Sequence, residues 1–275
     1  MGFGNSVESK DFVRRHSLFL EKFPNIKAAL DIAFIRVLEH SSLTDRTIFF
    51  CGRLCAEDFM EIMLLCGNGY GVGGLKLVRG MYERAVTARY LQIHPEETQR
   101  FVDFHWVQQR KLGIAIQRTY REKVLSDETI KRVEDKFQEV RDQFVITVCA
   151  DCGRRDVGFT WSKLDFVSMA NTVGSLGDLI VPAYYLPMRQ AHSTMDAILS
   201  RLKQGEEQLI EFDEGPQRST ADEAMITAHN ILLNILDLQK EHFGLAQLDA
   251  PLQRCFADFL EIWGNKDDDE LARIS

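Results

Sequence analysis

Wound as a helix, the segment Leu75–Gln92, LKLVRGMYERAVTARYLQ, is apolar or small on nearly every side, yet it carries Arg79 and Glu83 one turn apart. A helix without a polar stripe has to be covered by other elements all round, so this stretch calls for a bundle built about it. Charges on such a helix are either paired or in use, because an uncompensated charge is rarely left inside a core. Arg79, Glu83, Val86 and Tyr90 fall on one face at helical spacing. Arginine placed four residues before glutamate is the weaker order for local helix support, so the pair is expected to serve more than the helix itself.

The rest of the chain reads as helices of the kind that could provide that cover. Phe12 to Phe23 forms an apolar stripe interrupted at Pro24, and Ile26 to about His40 continues at steps of three and four. Thr44, with Asp45 behind it, reads as the cap of a helix to about Cys66. Pro95 opens a long helix to about Leu125, and Ser126 caps the next, to about Val145. Trp161 begins a run to about Thr172, and Ala183–Lys203 follows as another. Thr220 and Glu223 read as a capping box for a helix ending at Gly244, and Pro251 starts the last one. No stretch reads as a convincing strand. The expected fold is all-α, a multi-helix bundle of about eight to ten helices with no substantial sheet. The acidic Gly/Pro-containing segment 205–219 is the best internal boundary. It divides a main bundle (1–204) from an acidic linker and C-terminal helical pair (205–275) packing on it, unless one domain runs throughout.

Charge narrows the functional classes. The 275 residues carry a net charge of −8, which argues against a surface devoted as a whole to nucleic acid. Locally the balance differs: residues 76–124 hold ten Lys/Arg and five Asp/Glu, while residues 205–275 hold five and sixteen. Internal compensation between the two regions is the favoured reading, with a basic groove as the other. The N-terminus lacks a signal-peptide pattern, and no apolar run reaches a membrane span; LIVPAYYLPM is short and broken by Pro182 and Pro187. Six cysteines, four of them within helical patterns, fit a reducing cytosol. The expectation is a cytoplasmic protein without a membrane partner.

Three motifs invite chemistry. GNGYGVGG (67–74) has the glycines of a phosphate cradle but lacks Gly-Lys-Ser/Thr and a preceding strand, so a tight interhelical connection is expected. Cys149-Ala-Asp-Cys152-Gly resembles half a zinc knuckle; no second pair follows, so a loop with two free thiols is favoured over a metal site, and no cofactor is expected. A redox role for the same pair would need a βαβ setting that is absent. Tyr184, Tyr185, Arg189, His192 and Ser193 form a polar-aromatic cluster, with Tyr185, Arg189 and His192 on one helical side.

Leu77-Val-Arg79-Gly-Met-Tyr82-Glu83, the following Tyr90, and the HPEE-to-Phe101/Phe104 segment resemble the signature of a prokaryotic helical family of unknown function. Trp161 and the Tyr185…His192-Ser193 stretch resemble its second block, so that the likeness covers roughly residues 60–205. The resemblance implies a helical, intracellular protein without an assigned activity. More loosely, such domains are similar to the HEPN superfamily, many of whose members are dimeric ribonucleases of defence or toxin systems. Their catalytic signature is an arginine, four to six further residues, and a histidine. Here Arg89…His94 and Arg100…His105 have the spacing but an aromatic after the arginine, and Arg189 and His192 stand too close.

The leading expectation is a helical protein acting on RNA or a nucleotide through Arg79, Glu83, Tyr185 and His192. Arg79 would clamp phosphate, Glu83 would orient Arg79, and His192 would serve as acid and base. The alternative is a non-catalytic interaction or scaffold protein, partnered by another protein or a second copy, in which Arg79–Glu83 is structural.

Overall fold

The computed structural model describes residues 4–120, 124–149, 151–192, 194–204 and 210–264. The chain is predominantly all-α, as its periodicity predicts. Its elements run α1 (Ser6–Arg15), α2 (Ser17–Phe34), α3 (Leu43–Gly67), α4 (Gly71–Ile93), α5 (Thr98–Thr119) and α6 (Asp127–Val140). A short hairpin follows, β1 (Val145–Thr147) and β2 (Arg155–Val157), and then α7 (Phe166–Ala170), a π-helical turn (Val181–Tyr185), α8 (Leu186–Ala191) and α9 (Met195–Leu199). A second hairpin, β3 (Leu202–Gln204) and β4 (Ile210–Phe212), precedes α10 (Arg218–Phe243) and α11 (Asp249–Trp263). Both hairpins are antiparallel and three residues long per strand, which is why no strand pattern marks them in the sequence. Among the described residues no helix is long and apolar enough to cross a membrane.

The fold divides into two compact units, residues 1–92 with 169–275, and residues 93–168. In the first unit α10 lies chiefly against α3, and α11 lies against α2 and α10. Helix α4 is the buried element that its composition demands: Val78, Met81, Tyr82, Ala85, Val86, Ala88 and Leu91 are shut off from solvent. The Cys55 thiol of α3 donates to the Met81 carbonyl at 3.4 Å, and the Tyr82 hydroxyl donates to the Leu176 carbonyl at 2.8 Å. Withdrawing the larger of these side chains, Val78, Met81, Val86 and Leu91, from water contributes about 1.5–3 kcal/mol each.

The glycine run before α4 is packing geometry. A Cβ on Gly71 would lie 2.4 Å from both the Ala221 nitrogen and the Gln217 carbonyl oxygen, so α4 begins in direct backbone contact with α10. A Cβ on Gly74 would meet the Cys66 sulfur at 2.6 Å, and Gly69 turns the chain at φ +82°. The Val72 amide in the first turn of α4 donates to the Gln217 side-chain oxygen at 3.0 Å. The Gln217 N–H in turn donates to the Gly69 carbonyl at 3.1 Å.

Helix ends depart from the sequence reading where a side chain finds a better partner. Ser42, not Thr44, caps α3: its hydroxyl accepts from the Asp45 N–H at 3.0 Å, and Asp45 accepts from the Ser42 N–H at 2.8 Å. Helix α10 starts at Arg218, ahead of the Thr220–Glu223 box, because its first turn is set by the contact with α4. Pro24 does not break α2, whose buried residues Phe19 and Ile26 on either side hold it as one helix; that helix ends at Phe34 rather than near His40. Trp161 precedes a loop instead of opening a helix, and α7 starts only at Phe166, where Asp165 accepts from the Ser168 N–H at 2.8 Å.

The second unit is built on Phe104, Val107, Phe137, Val140 and Phe144, with Trp106, Val157 and Trp161 packed on them. Cations line this cluster: Arg100 donates to the Trp161 carbonyl at 2.6 Å, and Arg110 pairs with Glu134 at 2.8 Å while lying over Phe137.

Gly71→Ala is expected to lower stability by ~1–3 kcal/mol, because the added methyl meets backbone that cannot yield. An unchanged urea midpoint would show that the helices can separate at no cost. A second expectation concerns His229, enclosed by Phe19, Phe59 and Phe259, with Nδ1 accepting from the Trp263 indole at 3.1 Å. Burial pushes its pKa down from 6.5 to about 4, so the folded chain keeps it neutral where the unfolded chain takes up a proton. The stability this group supplies is complete above pH ~6.5 and is lost as pH falls toward ~4, an effect of roughly 3 kcal/mol. His229→Gln should therefore flatten the rise in unfolding free energy between those limits; a slope equal to that of the parent protein would refute the assignment.

Candidate functional site

Three arginines leave α4 in different directions, and two are committed to neighbouring helices. Arg84 pairs with Asp58 of α3, and Arg89 pairs with Glu241 and, at 3.4 Å, with Asp237 of α10. The last two pairings join the basic middle of the chain to its acidic C-terminal region. Burial is the main influence on Asp58 and raises its pKa despite the opposing pull of Arg84.

Arg79 is different. Its Nε donates to Glu83 Oε1 at 2.8 Å, one turn along the same helix. Its Nη1 lies 3.3 Å from His192 Nε2, and its guanidinium carbon sits 4.7 Å from the centre of the Tyr184 ring. A guanidinium has no lone pair to offer, so His192 Nε2 must be the acceptor and the imidazole carries its proton on Nδ1. Arg79 is thus held by a carboxylate, an aromatic face and an imidazole. Its side chain is 24% exposed and that of Glu83 42%, so the group is reachable from solvent.

His192 reaches Arg79 because the helix ends just before it. Val181–Tyr185 forms a π turn, α8 stops at Ala191, and His192 is extended at φ −102°, ψ 161°. Pro182 and Pro187 explain the irregularity, since neither can donate to the preceding turn. The structure therefore brings Arg79, Glu83 and His192 together, but the ring on Arg79 belongs to Tyr184. Tyr185 packs edge-on to Tyr184 at 5.6 Å between ring centres and is 40% exposed. Spacing counted along one helix through Tyr185, Arg189 and His192 selects Tyr185, but the helix stops at Ala191 and His192 lies beyond it. Arg189 turns away from this group to pair with Asp196 at 2.9 Å. Ser193 lies outside the described residues.

The arginines at HEPN-like spacing are occupied. Arg89 is held by Asp237 and Glu241, and Arg100 by the Trp161 carbonyl. Cys149 and Cys152 are free thiols in the β1–β2 hairpin, and among the described residues no three His, Cys, Asp or Glu come together as a metal site.

One polar cluster has no sequence signal. Glu8, 2% exposed, accepts from Arg15 at 3.1 Å and from Arg218 at 2.8 Å, while His16 lies 2.8 Å from Asp222. Its partners are separated by some 210 positions, so no local spacing reveals them. Every charge in it meets an opposite one, which marks it as the fastening of α1 to the start of α10.

No curated protein and no solved structure matches the chain. A sequence profile does: that of DUF5677, a family of unknown function, matches residues 48–209, from within α3 through Arg79, Glu83 and His192. With more than half of its length matched, the chain belongs to the DUF5677 family.

Proposed function

We propose that the Arg79–His192 pair is a phosphate-directed site acting on RNA or a nucleotide, in the manner of HEPN-like proteins of bacterial defence or toxin systems. The observation that carries this reading is the 3.3 Å approach of His192 Nε2 to Arg79 Nη1, between elements separated by more than 110 positions, on a side of the bundle open to solvent. Glu83 and the Tyr184 ring hold the guanidinium in place, so little rotamer freedom is lost when an anion binds it. A phosphate oxygen taking the Arg79 Nη1 hydrogen would free the His192 Nε2 lone pair beside the bound group. That lone pair could then remove a proton from a ribose hydroxyl or a water, and the protonated ring could return one to the leaving oxygen. Arg79 would offset the charge that develops on the phosphoryl oxygens. Tyr185, exposed beside Tyr184, offers a face on which a base can stack.

Incubating the intact chain with end-labelled single-stranded RNA tests this. Cleavage is expected, with His192→Ala reducing it ~100-fold or more and Arg79→Lys weakening both cleavage and binding, since lysine cannot present a fork. Cleavage unaltered in both folded variants would end the proposal.

A second reading, a non-catalytic interaction or scaffold protein, draws on the other arginines of α4, which act as ties between helices. If Arg79 is a tie too, Arg79→Met combined with Glu83→Leu should lower the thermal midpoint, because His192 and Tyr184 would lose their anchor. Retained or raised stability in the double variant favours the phosphate-directed role.

A further inference from the structure

The β1–β2 hairpin carries Cys149-Ala-Asp-Cys152-Gly153 at its tip. Strand pairing runs up to the cysteines: the Val148 N–H donates to the Arg154 carbonyl at 2.8 Å, and that of Cys149 to the same oxygen at 3.3 Å. Gly153, at φ +67°, turns the chain back behind the second cysteine. Inside this bend the Cys149 sulfur accepts from the backbone N–H groups of Asp151 and Cys152 and from the Cys152 thiol, which brings the two sulfurs side by side. Those hydrogen bonds hold the Cys149 thiol below its usual range. A two-residue spacing, amides aimed at the first sulfur and a glycine after the second together make half of a tetrahedral sulfur site.

The other half is not found among the described residues. Cys51, Cys55, Cys66 and Cys255 belong to the first unit, and burial raises the pKa of each thiol. Among the described residues no third His, Cys, Asp or Glu joins the pair. We propose that Cys149 and Cys152 bind zinc together with the same two cysteines of a second copy of this chain, giving one tetrathiolate centre on a two-fold axis. Two identical hairpins supply four sulfurs in a self-complementary contact. Binding releases the four thiol protons and leaves a centre of charge −2, next to Arg154 and Arg155 from each copy. Ile146 and Val148, 49% and 55% exposed beside the cysteines, would be covered where the hairpins meet.

The test is a titration of the reduced, full-length chain with Co²⁺ and then Zn²⁺, followed by absorbance and by mass in solution. The expected result is one metal for every two chains, the thiolate-to-cobalt charge transfer of a four-sulfur tetrahedral site, and a doubled mass that chelator reverses. Cys149→Ser and Cys152→Ser should each abolish metal uptake and doubling without altering the helical circular dichroism. The wild-type titration with chelator decides the question even if a variant fails to fold. Absence of uptake, one metal per monomer, or a dimer indifferent to metal would each overturn the proposal. So would a Cys149–Cys152 disulfide that forms readily while no metal binds.

Discussion

The first unit depends on backbone touching backbone where α4 meets α10. With 2.4 Å between the place of a Gly71 Cβ and the first turn of α10, no residue but glycine fits without displacement. Small residues along α4, Gly74, Ala85 and Ala88 among them, are buried against this contact. It also determines which polar groups can survive there. Arg84 and Arg89 escape the interior by reaching acids on α3 and α10, while Arg79 emerges where the chain from the π turn to His192 comes to meet it.

The sequence made the helices legible because burial on one face, or on all faces, leaves a period that counting can find. It also exposed the centrality of α4, the structural role of the glycine run, and the chain's membership of a helical family. Part of what escaped it depends on partners far along the chain. Gln217 caps α4 across 145 positions, and Glu8 meets Arg218 across 210, so neither can be inferred from neighbours. The cap of α3 was misplaced by two residues because Ser42 and Thr44 are both competent caps, and only geometry distinguishes them.

The candidate site was legible by halves. Arg79 and Glu83 share an uninterrupted helix, so their pairing follows from a spacing of four. His192 and its tyrosine sit across a prolyl irregularity, where the 3.6-residue rule stops applying. His192 is singled out by its spacing with Tyr185 and Arg189, and its approach to Arg79 comes from the chain leaving the helix after Ala191. Helical spacing points to Tyr185, whereas the ring lying on Arg79 is that of Tyr184.

Gln217 has a consequence for how the chain acquires its structure. During synthesis α4 is complete long before residue 217 has left the ribosome, so its first turn has neither its cap nor the wall that covers Gly71 and Gly74. The apolar faces of α4 must then wait for their cover through the making of some 120 further residues. The first turn of α4 is thus completed only once α10 has been made, and a chain cut before α10 lacks both the cap and the backbone that covers that turn.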